Sequence, residues 1–344
     1  MAEPVRLVFL GGLGEIGRNC ACLEQAGRLL LIDCGLMFPH ADMPGVDLVL
    51  PDFSYLRDNA GRIEACVLTH GHEDHVGALP FLLREASFPV YGSPLTLGLA
   101  AHRIEEAGLA GRTRLVEVAD GERRRIGPFD VEFIPVTHSV PRGFALAFHT
   151  PQGVVLHSGD FKLDLCPVDG RLTDLARIGA LACGPGVRLL LSDSTNAEEA
   201  GHTASETSVG AELLRIFESR PGQRVIVTCF ASHLHRVQQV VDAAVATGRK
   251  VATLGRSMAK NVELGLRLGE LRLPPGTLVD VEEVADLDPG RVCVVSTGSQ
   301  GEPLSAMALM AAGDNKWMEV GEGDVVVLSA HPVPGNEWAV NKVV

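Results

Sequence analysis

"LTHGHEDHVGALPFLL", residues 68–83, decides how the rest of the chain is read. The apolar run "EACVLTH" leads into it and a helix-like apolar run leaves it. A tight loop at a strand end therefore carries His70, His72, Asp74 and His75. Packing does not account for three histidines and an aspartate within six residues. Neutral imidazoles with a carboxylate are donors for Zn²⁺, and Mn²⁺ fits as well because oxygen ligands contribute. So short a loop cannot wrap one ion tetrahedrally, so further ligands are expected from other strand ends. Asp33 in "LIDCG", His138 in "PVTHSVP" and Asp160 in "LHSGDFK" each stand where an apolar run stops. Alone, each reads as a turn former, a helix cap or a hydrogen-bonded core residue. Together they predict convergence on one edge of a sheet.

A competing motif lies upstream. "VRLVFLGGLGEIG", residues 5–17, feeds an apolar run into Gly12-x-Gly14-x-x-Gly17, and "RLLLID" then ends on Asp33. That is about where a dinucleotide-binding unit carries its ribose-binding acid. A glycine fingerprint alone is weak evidence, and the metal-ligand loop outweighs it.

Composition bounds the function classes. The 344 residues are 46% hydrophobic, enough for two cores that need no disulfide staples. The start, "MAEPVR", has no export pattern, and no apolar stretch reaches the roughly 18 residues of a membrane span, so a cytoplasmic protein without a membrane partner is expected. The eight cysteines, Cys20, Cys22, Cys34, Cys66, Cys166, Cys183, Cys229 and Cys293, mostly lie in apolar runs and read as small core residues in a reducing compartment. A net charge of −13 argues against broad electrostatic capture of nucleic acid but leaves room for a local basic groove.

Strand-like and helix-like runs alternate, giving an α/β class. "CACLEQAGRLLLID" reads equally well as a hairpin or as helix then strand. "FPVYGS", "FDVEFIPVTH", "VVLHSGD" and "RLLLSDS" read as strands, and "LTLGLAAHRIEEAG" and "TDLARIGALA" as helices. From about residue 196 the strands "RVIVTCF", "KVATLG", "RVCVVSTGS" and "DVVVLSAH" are continuously apolar, as in a parallel sheet buried on both faces. A domain junction is expected within residues 195–205, separating 1–200 from 201–344.

The ordered motifs "LGGLGEIGRN", "DCG", "MPGVDLVLPDF", "HGHEDH", "THS", "SGDFK", "SDSTNAE", "FASHLHRVQQV", "GRSM", "TGSQGEP" and "PVPGNE" resemble those of the ribonuclease J family. That family lies in the β-CASP group of the metallo-β-lactamase superfamily, and the resemblance runs along essentially the whole chain. It implies an αββα sandwich with its metals at one sheet edge, and an inserted β-CASP α/β domain with a largely parallel sheet. "GGLGEIG" becomes a turn between early strands, and Asp33 a support for the metal loop.

Carried over position by position, the resemblance puts His70, His72 and His138 on one zinc, Asp74 and His75 on a second, and Asp160 between them. Asp74 and Asp193 are its catalytic acids, with Asp193 orienting a metal-ligand histidine. The implied activity is hydrolysis of single-stranded RNA, preferably 5′-monophosphorylated, as a 5′ to 3′ exonuclease and an endonuclease. A water activated between two cations attacks phosphorus, leaving a 5′-phosphate and a 3′-hydroxyl. The expected roles are RNA maturation and decay. The RNA contacts implied in the second domain are Ser232, His233, His235 and Arg236 after "FA", Arg256 and Ser257 in "GRS", and Gly298 and Ser299 within Thr297 to Pro303. Phe230 and Gly255 lie in the same loops.

The resemblance also implies motifs beyond "GNEWAVNKVV" that these residues do not include: an "SGH"-type motif, an "HGE"-type motif with the last ligand of the second metal, and a return segment of the hydrolase sheet. A truncated chain with a weakened second site is therefore expected, for which His331 is a poor substitute. Homo-oligomers or RNA-decay partners are not assigned. The alternatives are a catalytically weak or dead RNA-binding relative, a thioester or lactone hydrolase of the same superfamily, and a dehydrogenase.

Overall fold

The structure, a computed structural model, describes residues 4–39, 43–302, 304–333 and 337–344. Pro303 of the expected RNA loop and residues 334–336 of "PVPGNE" lie outside the described residues. The chain divides into two compact units, Met1–Thr203 and Ala204–Val344.

The first unit holds two sheets. One runs β1 (Arg6–Gly11), β2 (Cys20–Gln25), β3 (Arg28–Ile32), β4 (Ile63–Val67), β5 (Val90–Gly92) and β6 (Leu115–Glu117), in that spatial order. Its first three strands are antiparallel and its last three parallel to β3. The ambiguous "CACLEQAGRLLLID" forms the β2–β3 hairpin. Ala26 and Gly27 turn it with φ of 49° and 71°, the doubly left-handed turn that suits the strand twist. "GGLGEIG" is likewise a turn between antiparallel strands, and no helix opens behind it to hold a pyrophosphate.

The second sheet runs β7 (Arg123–Ile126), β8 (Phe129–Val136), β9 (Gly143–Thr150), β10 (Gly153–His157) and β11 (Val187–Leu191). All its neighbours are antiparallel except β10 and β11. Residue alternation builds the layers. Leu23, Leu30, Ile32, Ala65 and Val67 of the first sheet meet Val131, Phe133, Phe144, Leu146 and Phe148 of the second. Their neighbours Leu29, Leu31 and Cys66 face outward, onto α1 (Ser54–Asp58), α3 (Leu79–Leu83) and α4 (Pro94–Glu106), with the short α2 (Glu73–Val76) just before α3. On the far side Ile134, Val136, Ala145 and Leu156 pack on Leu181 of α5 (Leu175–Cys183). The unit is thus an αββα sandwich. Cys20, Cys22, Cys34 and Cys66 are buried in it, whereas Cys166 and Cys183 are exposed, against the expectation for them.

The second unit contains α6 (Thr207–Glu218), β12 (Val225–Thr228), α7 (Leu234–Ala246), β13 (Lys250–Leu254), α8 (Arg256–Leu268), β14 (Val292–Ser296), α9 (Ala306–Ala312), β15 (Val325–Leu328) and α10 (Glu337–Val343). Its sheet, ordered β13-β14-β12-β15, is parallel throughout. Val225, Ile226 and Val227 are all fully buried, the two-sided burial that continuous apolar strands foretell. No helix among the described residues is long and apolar enough to cross a membrane.

Candidate metal centre

Strand direction gathers the donors. β3 and β4 are parallel neighbours, so Asp33 and His70, which follow them, share one sheet edge. β8 and β10 both run antiparallel to β9, so His138 and Asp160, just past their ends, share one edge of the second sheet. Phe144 N donates to Thr69 O at 2.8 Å and ties the two edges together.

Two donor sets result. In the first, His72 Nδ1 lies 3.0 Å from His70 Nε2 and 3.1 Å from His138 Nε2. Asp160 Oδ2 stands 3.8 Å from His70 Nε2 and 3.7 Å from His138 Nε2. Donor atoms about 2.0–2.1 Å from a tetrahedral zinc are themselves roughly 3.3 Å apart, so the spacing fits one cation. In the second, His75 Nε2 lies 3.5 Å from Asp74 Oδ2 and 3.4 Å from Asp160 Oδ1. Asp160 thus turns one oxygen to each set, and both groups could hold a metal ion.

Groups behind the donors set the tautomers. Asp33, 1% exposed, accepts Thr69 N at 2.7 Å, Thr69 Oγ1 at 2.8 Å and His75 Nδ1 at 2.8 Å. With Nδ1–H held by a carboxylate, His75 presents Nε2 to the second set. Thr69 Oγ1 gives its proton to Asp33, so at 3.1 Å it can only accept from His70 Nδ1–H, leaving His70 Nε2 for the first set. Ser139 Oγ at 3.3 Å faces the remaining nitrogen of His72. Asp33 holds a left-handed φ of 58°, a region aspartate tolerates better than most residues.

The electrostatics match a cation site. Burial holds the imidazoles of His70, well below its usual range, and His72, down to about 4, in the neutral form; His75 and His138, respectively, reinforce this. Burial opposes ionisation of Asp74 and Asp160, but His75 overrides it and holds both carboxyls below their usual range. Burial would also keep His75 neutral, yet Asp160, Asp74 and Asp33 together hold a proton on it well above the usual range. A cation in the second set competes with that proton.

Two sequence expectations fare differently. Among the described residues no histidine meets the Asp193 carboxylate. That carboxylate accepts Thr195 N at 2.9 Å and Thr195 Oγ1 at 2.8 Å, a local turn, while the Asp193 N–H donates to Ser158 Oγ at 2.9 Å. His331 lies in the second unit, and neither metal-binding group among the described residues includes it.

In that unit the expected RNA-binding loops follow β12, β13 and β14 and share the carboxyl edge of the parallel sheet. Arg256 and Ser257, opening α8, are exposed, and Ser232 is half-buried. Arg236 is not offered to a ligand. It is 9% exposed, with Nε on Glu206 Oε1 at 2.7 Å and Nη1 on Ser329 Oγ at 2.8 Å. His233 caps α7 by accepting Arg236 N, and burial lowers it to about 4. His235, Gly298 and Ser299 are buried too. Burial would raise Glu206, but His233 and Arg236 pull it down to about 2. This cluster ties α6, α7 and β15 together.

Residues 13–222 match the family model of the metallo-β-lactamase superfamily. The chain belongs to that superfamily. Its metallo-β-lactamase sandwich is followed by residues 222–344, which match the model of the ribonuclease J β-CASP domain. A ribonuclease J of Mycobacterium tuberculosis is 47% identical over 99% of the chain, and one of Thermus thermophilus is 45% identical over 99%. The chain covers 60% of the length of each of these two relatives. A crystal structure of a protein of unknown function from Enterococcus faecalis V583 superposes with a TM-score of 0.62. It covers 93% of this chain and 88% of that one at 15% identity, a likeness of fold alone. The metallo-β-lactamase fold and the His/Asp cluster together make this a divalent-metal protein.

Proposed function

We propose that the chain carries the catalytic centre of a zinc-dependent ribonuclease. It hydrolyses phosphodiesters of single-stranded RNA, from a 5′-monophosphorylated end and internally, leaving a 5′-phosphate and a 3′-hydroxyl. Its place is RNA maturation and decay in the cytoplasm. One observation carries this reading: Asp160 faces three histidines with one oxygen and His75 with the other. Three nitrogens and one oxygen at tetrahedral spacing favour zinc over manganese in the first set. Cations held there would supply an activated water at neutral pH and offset charge on the attacked phosphate.

The residues divide the remaining work. His70, His72, His138 and Asp160 would hold the first cation; Asp74, His75 and Asp160 would hold the second. Asp33 keeps His75 in the tautomer that faces it. Arg256 and Ser257, exposed where α8 begins, take RNA phosphate. A second reading, RNA binding with weak or no cleavage, draws on the second donor set, which has three protein donors among the described residues where the first has four.

Incubation of the 344-residue chain with a 5′-monophosphorylated single-stranded RNA, with and without chelator and beside His72→Ala, separates the two. Release of 5′-nucleotides should stop with chelator and fall by at least about 10²-fold in the variant. RNA bound but uncut by the zinc-loaded chain would favour the second reading. Cleavage that survives chelation would refute both metal roles.

A further inference from the structure

The glycine-rich turn between β1 and β2 is explained by what stands at its end. Gly12, Gly14, Gly17 and Arg18 all take positive φ, at 80°, 74°, 106° and 41°. Glu15 fastens the turn, accepting Gly12 N at 3.0 Å and Arg18 Nε at 2.6 Å. The turn delivers Asn19, whose backbone is fixed on both sides: its N–H donates to Asp74 O at 2.9 Å and its carbonyl accepts Gly35 N at 2.9 Å. From there the side-chain Nδ2 reaches Asp74 Oδ2 at 3.2 Å and His75 Nε2 at 3.1 Å. A Cβ on Gly12 would stand 2.6 Å from Asn19 Oδ1, so only glycine leaves the carboxamide its place.

The chemistry of that contact is specific. Asp74 Oδ2 accepts from Asn19 Nδ2, and His75 Nε2, the nitrogen that faces the second set, lies beside the same amide. An amide NH₂ donates to that carboxylate without adding charge, which orients Asp74 and leaves the His75 Nε2 lone pair to a cation. A carboxylate in its place would repel Asp74. Asn19 makes no hydrogen bond to His70, His72 or His138.

We propose that Asn19 is a positioning residue for the second donor set, holding Asp74 in register beside His75 for a cation, and that the glycine-rich turn is its mount. The inference rests on the two-set reading of the metal centre. Its effect is confined to one set, because Asn19 bonds to Asp74 and His75 alone among the donors.

The test is calorimetric titration of the zinc-free 344-residue chain with Zn²⁺ against a competing chelator, for wild type, Asn19→Ala and Asn19→Leu. Leucine keeps the volume and removes the donors, which covers the case of an alanine variant that does not fold. Thermal melting in chelator accompanies each. The second cation should bind about 10- to 100-fold more weakly in the variants, with the first unchanged and the zinc-free melting temperature close to wild type. A merely structural role would lower the melting temperature and weaken both sites together. That result, an unchanged second affinity, or uptake of a single cation by wild type at any zinc concentration would each overturn the proposal. No RNA enters the measurement, so a chain that binds two cations yet leaves RNA intact would defeat the proposed function and leave the role of Asn19 standing.

Discussion

Asp160→Ala is expected to lower RNA cleavage on the order of 10³-fold and to cost the chain its second cation, the largest loss of activity among the substitutions considered. Both donor sets use this side chain. Its Oδ2 lies 3.8 Å and 3.7 Å from the nitrogens of His70 and His138, and its Oδ1 lies 3.4 Å from His75. Without it the first set keeps three imidazoles, a viable zinc site, whereas the second keeps only Asp74 and His75. Metal analysis after gel filtration should therefore find about one zinc per chain beside inactive protein. His75 retains Asp33, so the loop should stay folded, and the far-ultraviolet spectrum should match wild type. Wild-type cleavage by this variant would mean that no cation bridged by Asp160 takes part.

Gly35→Ala should be the most destabilising single change. A Cβ there would lie 1.5 Å from Asp74 O and 1.9 Å from its carbonyl carbon, both backbone atoms that no side-chain rotation can move away. The same segment donates Cys34 N to His75 O at 2.8 Å and Leu36 N to Glu73 O at 3.1 Å, so the loop after β3 lies directly against the ligand-bearing turn. Forcing them apart should cost about 3 kcal/mol in overpacking. Each of those hydrogen bonds lost adds roughly 1 kcal/mol. Urea unfolding should show a lower midpoint, and zinc retention should fall with it. Gly61→Ala is the control, because nothing lies within 4 Å of its added carbon. Equal midpoints for the two variants would show that the close approach at Gly35 does not constrain the site.

The parts of the centre legible in the sequence are those whose signal is local. His70, His72, Asp74 and His75 crowd one loop, and Asp33, His138 and Asp160 each end an apolar run. Strand direction alone then brings them to one edge. Asn19, Thr69 and Ser139 carry no such signal, because their roles arise from contacts across the fold. Asn19 meets Asp74 from 55 positions away, through a turn whose glycines look like a nucleotide fingerprint. The same limit applies to Arg236, which reads as a phosphate ligand in "FASHLHR" and in the fold is paired with Glu206, 30 positions upstream. At Asp193 the contact seen is local: Oδ1 takes both bonds from Thr195, only two residues on, and no histidine among the described residues meets the carboxylate. The β2–β3 hairpin was ambiguous because Ala26 is an unusual residue for a left-handed turn position.

Anomalous diffraction at the zinc edge, from crystals of the chain grown with zinc, tests the two-cation centre most directly. Two peaks about 3.5–4 Å apart are expected, one among His70, His72 and His138 and one beside Asp74 and His75, with Asp160 between them. A single peak, or a second one away from Asp160, would contradict the shared-carboxylate centre on which the proposed RNA hydrolysis depends.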